Sequence, residues 1–323
     1  MIETEQPFRI DVHHHIYPAK FMANQEKLNP KWGPQVPPAI VKGWTPKFAI
    51  EEMDRTGVAT AIAQMIADPG IWFGNVAAAR DLAREWNEYA AQMTRDFPGR
   101  FGMLAVVPMP DVDGTLREIE YAFDILRADG IQLMSHYEGK YPADRNFRPV
   151  LAELNRRKAV VLIHPFLPPC HDVLPGIRPR TVEFPFDTTR AIVNLVLSGT
   201  TSQFPDIKFI FCHGGGALPA LAGRIEELTK DERDRAERIP KGIEFELKKL
   251  YYEIANAYHR PTFAALQAFA PASQILFGTD YPYVSIPSHV DGLEKVVPSQ
   301  STRRAIERDN VLALFPKFAN SIG

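Results

Sequence analysis

The sequence predicts an α/β fold closed into a (β/α)8 TIM barrel, and three observations carry that expectation. Short apolar runs rich in Val, Ile and Phe alternate with segments of helical periodicity, the pattern of successive parallel βαβ units. The runs number eight, the count that closes a barrel. The chain has 323 residues, a length that one large barrel accommodates.

The expected strands are 8–13, 58–66, 101–107, 131–135, 159–164, 207–213, 250–256 and 274–280. Between them, Val76, Ala79, Leu82, Ala83, Trp86, Tyr89, Ala90 and Met93 recur at spacings of three and four, which makes one apolar stripe of a helix packed on the barrel. Phe147, Val150, Leu151 and Leu154 form a second such stripe, and Leu218, Leu221, Ile225 and Leu228 a third. All are read as core. The stretch 166–186 is dense in proline and too long for an ordinary connection, so it is read as an active-site wall or lid. The charge run that starts at Thr229 is read as a solvated helical face.

Composition narrows the class of function. Hydrophobic residues make up 45% and charged residues 24%, the balance of a chain that buries a large core. A net charge of −2 supplies no basic field for nucleic acid or anionic lipid, so neither is expected as a partner. The first residues lack the basic and apolar regions of a secretory signal, and no apolar run has bilayer-spanning length; a cytoplasmic protein is expected. Two cysteines, Cys170 and Cys212, are too few for a disulfide framework, and neither is given a role.

The chemistry is concentrated at strand ends. In DVHHHIYP, His13 and His15 share one side of a strand because side chains alternate, and His14 faces the other way. Two imidazoles spaced by about 7 Å along a strand can converge on one cation. His164 ends AVVLIHP, His213 ends IKFIFCHGGG and Asp280 ends ILFGTDYP. Any one of these is unremarkable as the residue that begins a loop. Together they fall on the C-terminal face of the barrel, where this architecture keeps its active site. His136 and Tyr137, at the end of the fourth strand, share that face and suit a carboxylate or hydroxyl.

These motifs, with HPF from His164, the long stretch from Phe186 through HGGG, and GTDYP around Asp280, resemble the amidohydrolase superfamily over nearly the whole chain. Within it, they resemble the branch of aminocarboxymuconate-semialdehyde decarboxylase and the 6-methylsalicylate and other aromatic-acid decarboxylases. The resemblance implies a single amidohydrolase-type barrel domain over 1–323, of the metal-dependent hydrolase type, with 166–186 as its active-site loop. It implies that His13, His15, His164 and Asp280 hold one divalent metal, with zinc expected and manganese the alternative, and that His213 hydrogen-bonds metal-bound water or substrate. Strand four ends IQLMSH without the lysine that bridges two metals in dinuclear relatives, and Lys140 lies in the next loop, which points to a single metal. Phe166 matches a position where an aromatic residue lines the substrate pocket; a homodimer is also implied.

The expected reaction is non-oxidative decarboxylation of a hydroxylated aromatic acid of the salicylate type, with release of CO2 and with Asp280 or His213 as proton donor. Phe48 and Glu51 stand where aminocarboxymuconate enzymes carry substrate-binding arginines, which argues against that substrate. The alternative is a mononuclear hydrolase of a lactone or amide, since the same ligands serve a metal hydroxide. A non-catalytic metal-binding barrel is the third reading, because a fold alone does not fix an activity.

Overall fold

In the computed structural model, which describes residues 7–18, 43–65, 74–170, 172 and 174–320, eight parallel strands lie side by side in chain order. They are β1 (Arg9–His15), β2 (Val58–Gln64), β3 (Phe101–Ala105), β4 (Gly130–Met134), β5 (Val160–His164), β6 (Lys208–Phe211), β7 (Tyr251–Glu253) and β8 (Ile275–Leu276). The eighth closes on the first: Val12 N–H donates to Phe277 O (3.0 Å), Asp280 N–H to His13 O (2.8 Å) and His15 N–H to Tyr281 O (2.8 Å). The expected barrel is therefore the observed one.

Six strands, β2, β3, β4, β6, β7 and β8, stop earlier than their apolar runs suggest. Beyond β6, β7 and β8, His213, Asn256 and Asp280 take φ values of 57°, 55° and 59°, a left-handed backbone that turns the chain out of the strand direction. β1 runs longer than expected, because His14 and His15 pair with Ala63 and Gln64; the expected end of the second strand, Ile66, lies outside the described residues.

Each strand feeds a helix: α1 (Pro46–Thr56), α2 (Val76–Asp96), α3 (Val112–Asp124), α4 (Arg148–Arg156), α5 (Pro179–Leu197), α6 (Leu218–Thr229), α7 (Arg260–Phe269) and α8 (Ile286–Val296). Six of them, all but α2 and α3, open with proline in the first two positions, where its missing N–H is unneeded and its fixed φ suits the helix. That corrects the reading of 166–186 as loop throughout: Pro179 starts α5, so the second half of the stretch is helical, with Pro185 inside it. His171 and Val173 lie outside the described residues. Two stripe residues are also corrected, since Val76 is 52% and Leu228 65% exposed; each sits at an end of its helix. The charge run after α6 forms surface ion pairs, Arg238 with Glu232 and Asp234 among them, as a solvated face should.

Ile10, Val12, Ile62, Leu104, Leu162, Ile210 and Leu276 form one buried cluster inside the barrel, closed at its N-terminal end by Val311, Phe315 and Phe318. At the other end the pairing of β1 with β2 slips: Asp11 faces Ala61 but His14 faces Ala63, so three residues of β1 span two of β2. This bulge lets Val12 and His13 both serve the interior, whereas strict alternation would set them on opposite faces. Asp11 and His14 are left together, with Asp11 Oδ2 3.1 Å from His14 Nδ1.

Fully buried Asp11 ties the two closing strands together. Its Oδ1 accepts the N–H groups of His13 and Thr279 (both 3.0 Å), and its Oδ2 accepts the Thr279 hydroxyl (2.6 Å). Asp11→Ala strands these donors in a dry interior and is expected to cost about 3 kcal/mol or more of folding stability. The measurement is a urea titration, and a midpoint equal to that of the unaltered chain at equal slope would refute the role.

Candidate metal centre and active site

Four of the five polar side chains expected at strand ends meet at one point. A ligand atom from each of His13, His15, His164 and Asp280 lies within 4.8 Å of the others. His13 Nε2 is 3.1 Å from His15 Nε2, while Asp280 Oδ1 is 3.1 Å from His15 Nε2 and 3.4 Å from His13 Nε2. His213 is the fifth: its Nε2 stands 3.6 Å from Asp280 Oδ2, and its ring centroid lies 5.4 Å from that of His13. Asn256 donates to the same Oδ2 (3.4 Å). Asp280 thus presents one oxygen to the histidine cluster and the other to His213.

The ring orientations follow from the outer nitrogens. His13 Nδ1 is 3.0 Å from Glu253 Oε1, and His164 Nδ1 is 2.7 Å from Pro165 O. Both partners are acceptors only, so each Nδ1 carries a proton and each Nε2 is the nitrogen turned inward. His15 Nδ1 is buried with no hydrogen-bond partner among the described residues, and its Nε2 also faces the cluster. Imidazole lone pairs and a carboxylate oxygen this close together repel unless a positive charge lies among them. A divalent cation fits this donor set, three imidazole nitrogens and one carboxylate.

The same demand appears in the titration of the groups. Burial works against charge on His13, but Cys212, Glu253 and Asp280 outweigh it and raise the imidazole well above its ordinary 6.5. Burial and the neighbouring imidazoles push His164 well below that value, and burial lowers His15. Asp280 is held well below the usual carboxylate range: burial opposes this, and His13, His15 and His213 overcome it.

The other expected residues are placed differently. His136 is buried with both ring nitrogens engaged, Nε2 on Leu167 O (3.0 Å) and Nδ1 accepting from Gly139 N–H (3.2 Å). It joins the turn after β4 to the loop after β5 and lies outside the cluster, although its ring centroid is 6.0 Å from that of buried Phe166. Phe48 is exposed on α1. Lys140 pairs with Tyr137 in a tight turn beyond β4, away from the strand end. Glu253 was missed by the sequence reading; an acid inside the strand-like run LYYEIANAY was its only trace.

The fold and the cluster define a divalent-metal barrel with its site at the C-terminal mouth. The chain belongs to the Amidohydrolase family, which residues 10–317 match. It is 34% identical to the decarboxylase yanB of Aspergillus niger, over 96% of this chain and 88% of that one. It is 33% identical to the 6-methylsalicylic acid decarboxylase of Penicillium expansum, over 96% of each. Among solved structures it resembles the 5-carboxyvanillate decarboxylase of Novosphingobium aromaticivorans, which holds manganese and 4-hydroxy-3-methoxy-5-nitrobenzoic acid; the TM-score is 0.86 at 22% identity, over 97% of each chain. Among the described residues no helix is long and apolar enough to cross a membrane.

Metal uptake should depend on pH with a definite sign. His13, with its raised value, keeps a proton above pH 6.5, and a cation must displace it. Affinity is therefore expected to rise with pH from 6.5 through the raised value, with proton release measurable by calorimetry in buffers of different ionisation enthalpy. Binding without proton release in that window would contradict the arrangement.

Proposed function

We propose that the protein is a metal-dependent, non-oxidative decarboxylase of a salicylate-type acid, and that Asp280, shared between the cluster and His213, is the observation that carries the reading. Similarity at one third identity to a 6-methylsalicylic acid decarboxylase, over almost the full length of both chains, supports the substrate class. A divalent cation held by His13, His15, His164 and Asp280 supplies the positive charge that anchors the acid's carboxylate and adjacent hydroxyl. Zinc is the ion we propose from the histidine-rich donor set; manganese, as in the 5-carboxyvanillate decarboxylase structure, is the alternative that elemental analysis separates from it.

The proton follows from the residues. His213 Nδ1 is buried without a partner among the described residues, so the ring exchanges protons at Nε2, facing Asp280 Oδ2. The surrounding imidazoles keep Asp280 ionised at rest, so a proton passed from Nε2 to Oδ2 is strongly acidic, as protonation of an aromatic carbon requires. Oδ2 delivers it to the ring carbon that bears the carboxylate. The bond from that carbon to the carboxylate then breaks, its electron pair restores the aromatic ring, and CO2 departs. Phe166 offers the ring a stacking face, and His136 acts on it indirectly by holding the loop at Leu167.

Metal-loaded protein given a panel of hydroxybenzoates should release CO2 from a salicylate. Asp280→Asn and His213→Ala should each lower kcat by roughly a hundredfold or more. Phe166→Ala should raise KM several-fold, about 1 kcal/mol of lost stacking, with little change in kcat. Opening of a lactone ring with no CO2 evolved would replace this reading with the hydrolase.

A further inference from the structure

Glu253 is a fully buried acid that the proposed reaction does not use, and its carboxylate reaches β1, the turn after β6 and the end of its own strand. Oε1 lies 3.0 Å from His13 Nδ1 and accepts His213 N–H at 2.6 Å; Oε2 accepts Ala255 N–H at 2.6 Å. One carboxylate thus touches the side chain of a cluster histidine on β1 and the backbone of His213 after β6, where the chain takes its left-handed turn (φ 57°). Gly278, just after β8, makes room for it: a Cβ there would run into Glu253 Oε2.

Glu253 also belongs to a second group of metal-competent side chains, with His13 and Cys212. That group does not suit a cation. Both Glu253 oxygens already accept backbone N–H groups, which leaves its carboxylate committed to the protein. What the arrangement does supply is a common support for two groups with different tasks.

We propose that Glu253 is a positioning residue whose carboxylate fixes both the nitrogen that His13 turns toward the metal and the backbone from which His213 projects. Bound to Oε1, His13 Nδ1 carries a proton, so Nε2 alone faces inward. Bound to the same atom, His213 N–H holds the left-handed turn that brings Nε2 to Asp280. A glutamine cannot replace it. With its oxygen toward His13 and His213, its amide would oppose Ala255 N–H; flipped, it would oppose His213 N–H and force the other tautomer on His13. The inference rests on the roles proposed for His13 and His213.

The test compares Glu253→Gln and Gly278→Ala with the unaltered enzyme. Gly278→Ala displaces the carboxylate without changing its chemistry. Zinc affinity, read by competition with a chromophoric chelator, should fall by about 10- to 100-fold in both. With zinc saturating, kcat should remain down by about tenfold. In a His213→Ala background Glu253→Gln should still weaken zinc binding but lower kcat no further. Unchanged zinc affinity and unchanged saturated kcat in either variant would overturn the proposal, as would a zinc-loaded wild-type NMR spectrum showing His13 bound through Nδ1. That spectrum decides the matter should neither variant fold. Zinc affinity involves no substrate, so its loss stands even if the acid is not a salicylate, and a failed substrate screen leaves this arm intact.

Discussion

Two imidazole nitrogens 3.1 Å apart, with a carboxylate oxygen within 3.4 Å of both, form the constraint on which the rest of the site depends. In water such groups would separate or take up protons. Here the backbone forbids separation, because His13 and His15 share β1 and Asp280 is tied to His13 by a main-chain hydrogen bond. The surroundings supply what that proximity requires: a bulge that turns His13 inward, acceptors on the outer nitrogens of His13 and His164, and Asp11 holding β1 to the end of β8.

The strand order and the cluster were legible because four of the apolar runs, the first, fifth, sixth and eighth, stop at the residues that carry the chemistry, and a barrel brings such stops together. The bulge in β1 was not legible. It depends on pairing with β2, and DVHHHIYP reads equally well with plain alternation. Glu253 stayed hidden for a related reason: an acid in the middle of a strand looks like a solvent-facing residue until its neighbours across the barrel are known. The start of α5 was obscured because proline marks both loops and first helical turns, and only packing separates the two.

A fold shared at 22% identity with a 5-carboxyvanillate decarboxylase fixes the scaffold and leaves the chemistry to local detail. At the end of β4, Ser135 donates to Asp187 and receives Phe166 N–H, so this corner braces the loop after β5 and adds no ligand to the cluster. The cluster draws on β1, β5 and the residues after β8, and the groups placed to handle a proton sit beside it on the β6 and β7 side. Charge and proton are thus handled on adjoining sectors of one rim, joined at Asp280.

The left-handed backbone at His213, Asn256 and Asp280 limits how this rim can change. Asparagine, aspartate, histidine and glycine tolerate that conformation far better than branched side chains do. Evolutionary or laboratory redesign therefore has a restricted alphabet at those three corners, whatever new reaction is sought. Freedom to vary lies instead at positions with ordinary extended or helical geometry, such as Phe184 in the first turns of α5, and new specificities are most accessible there.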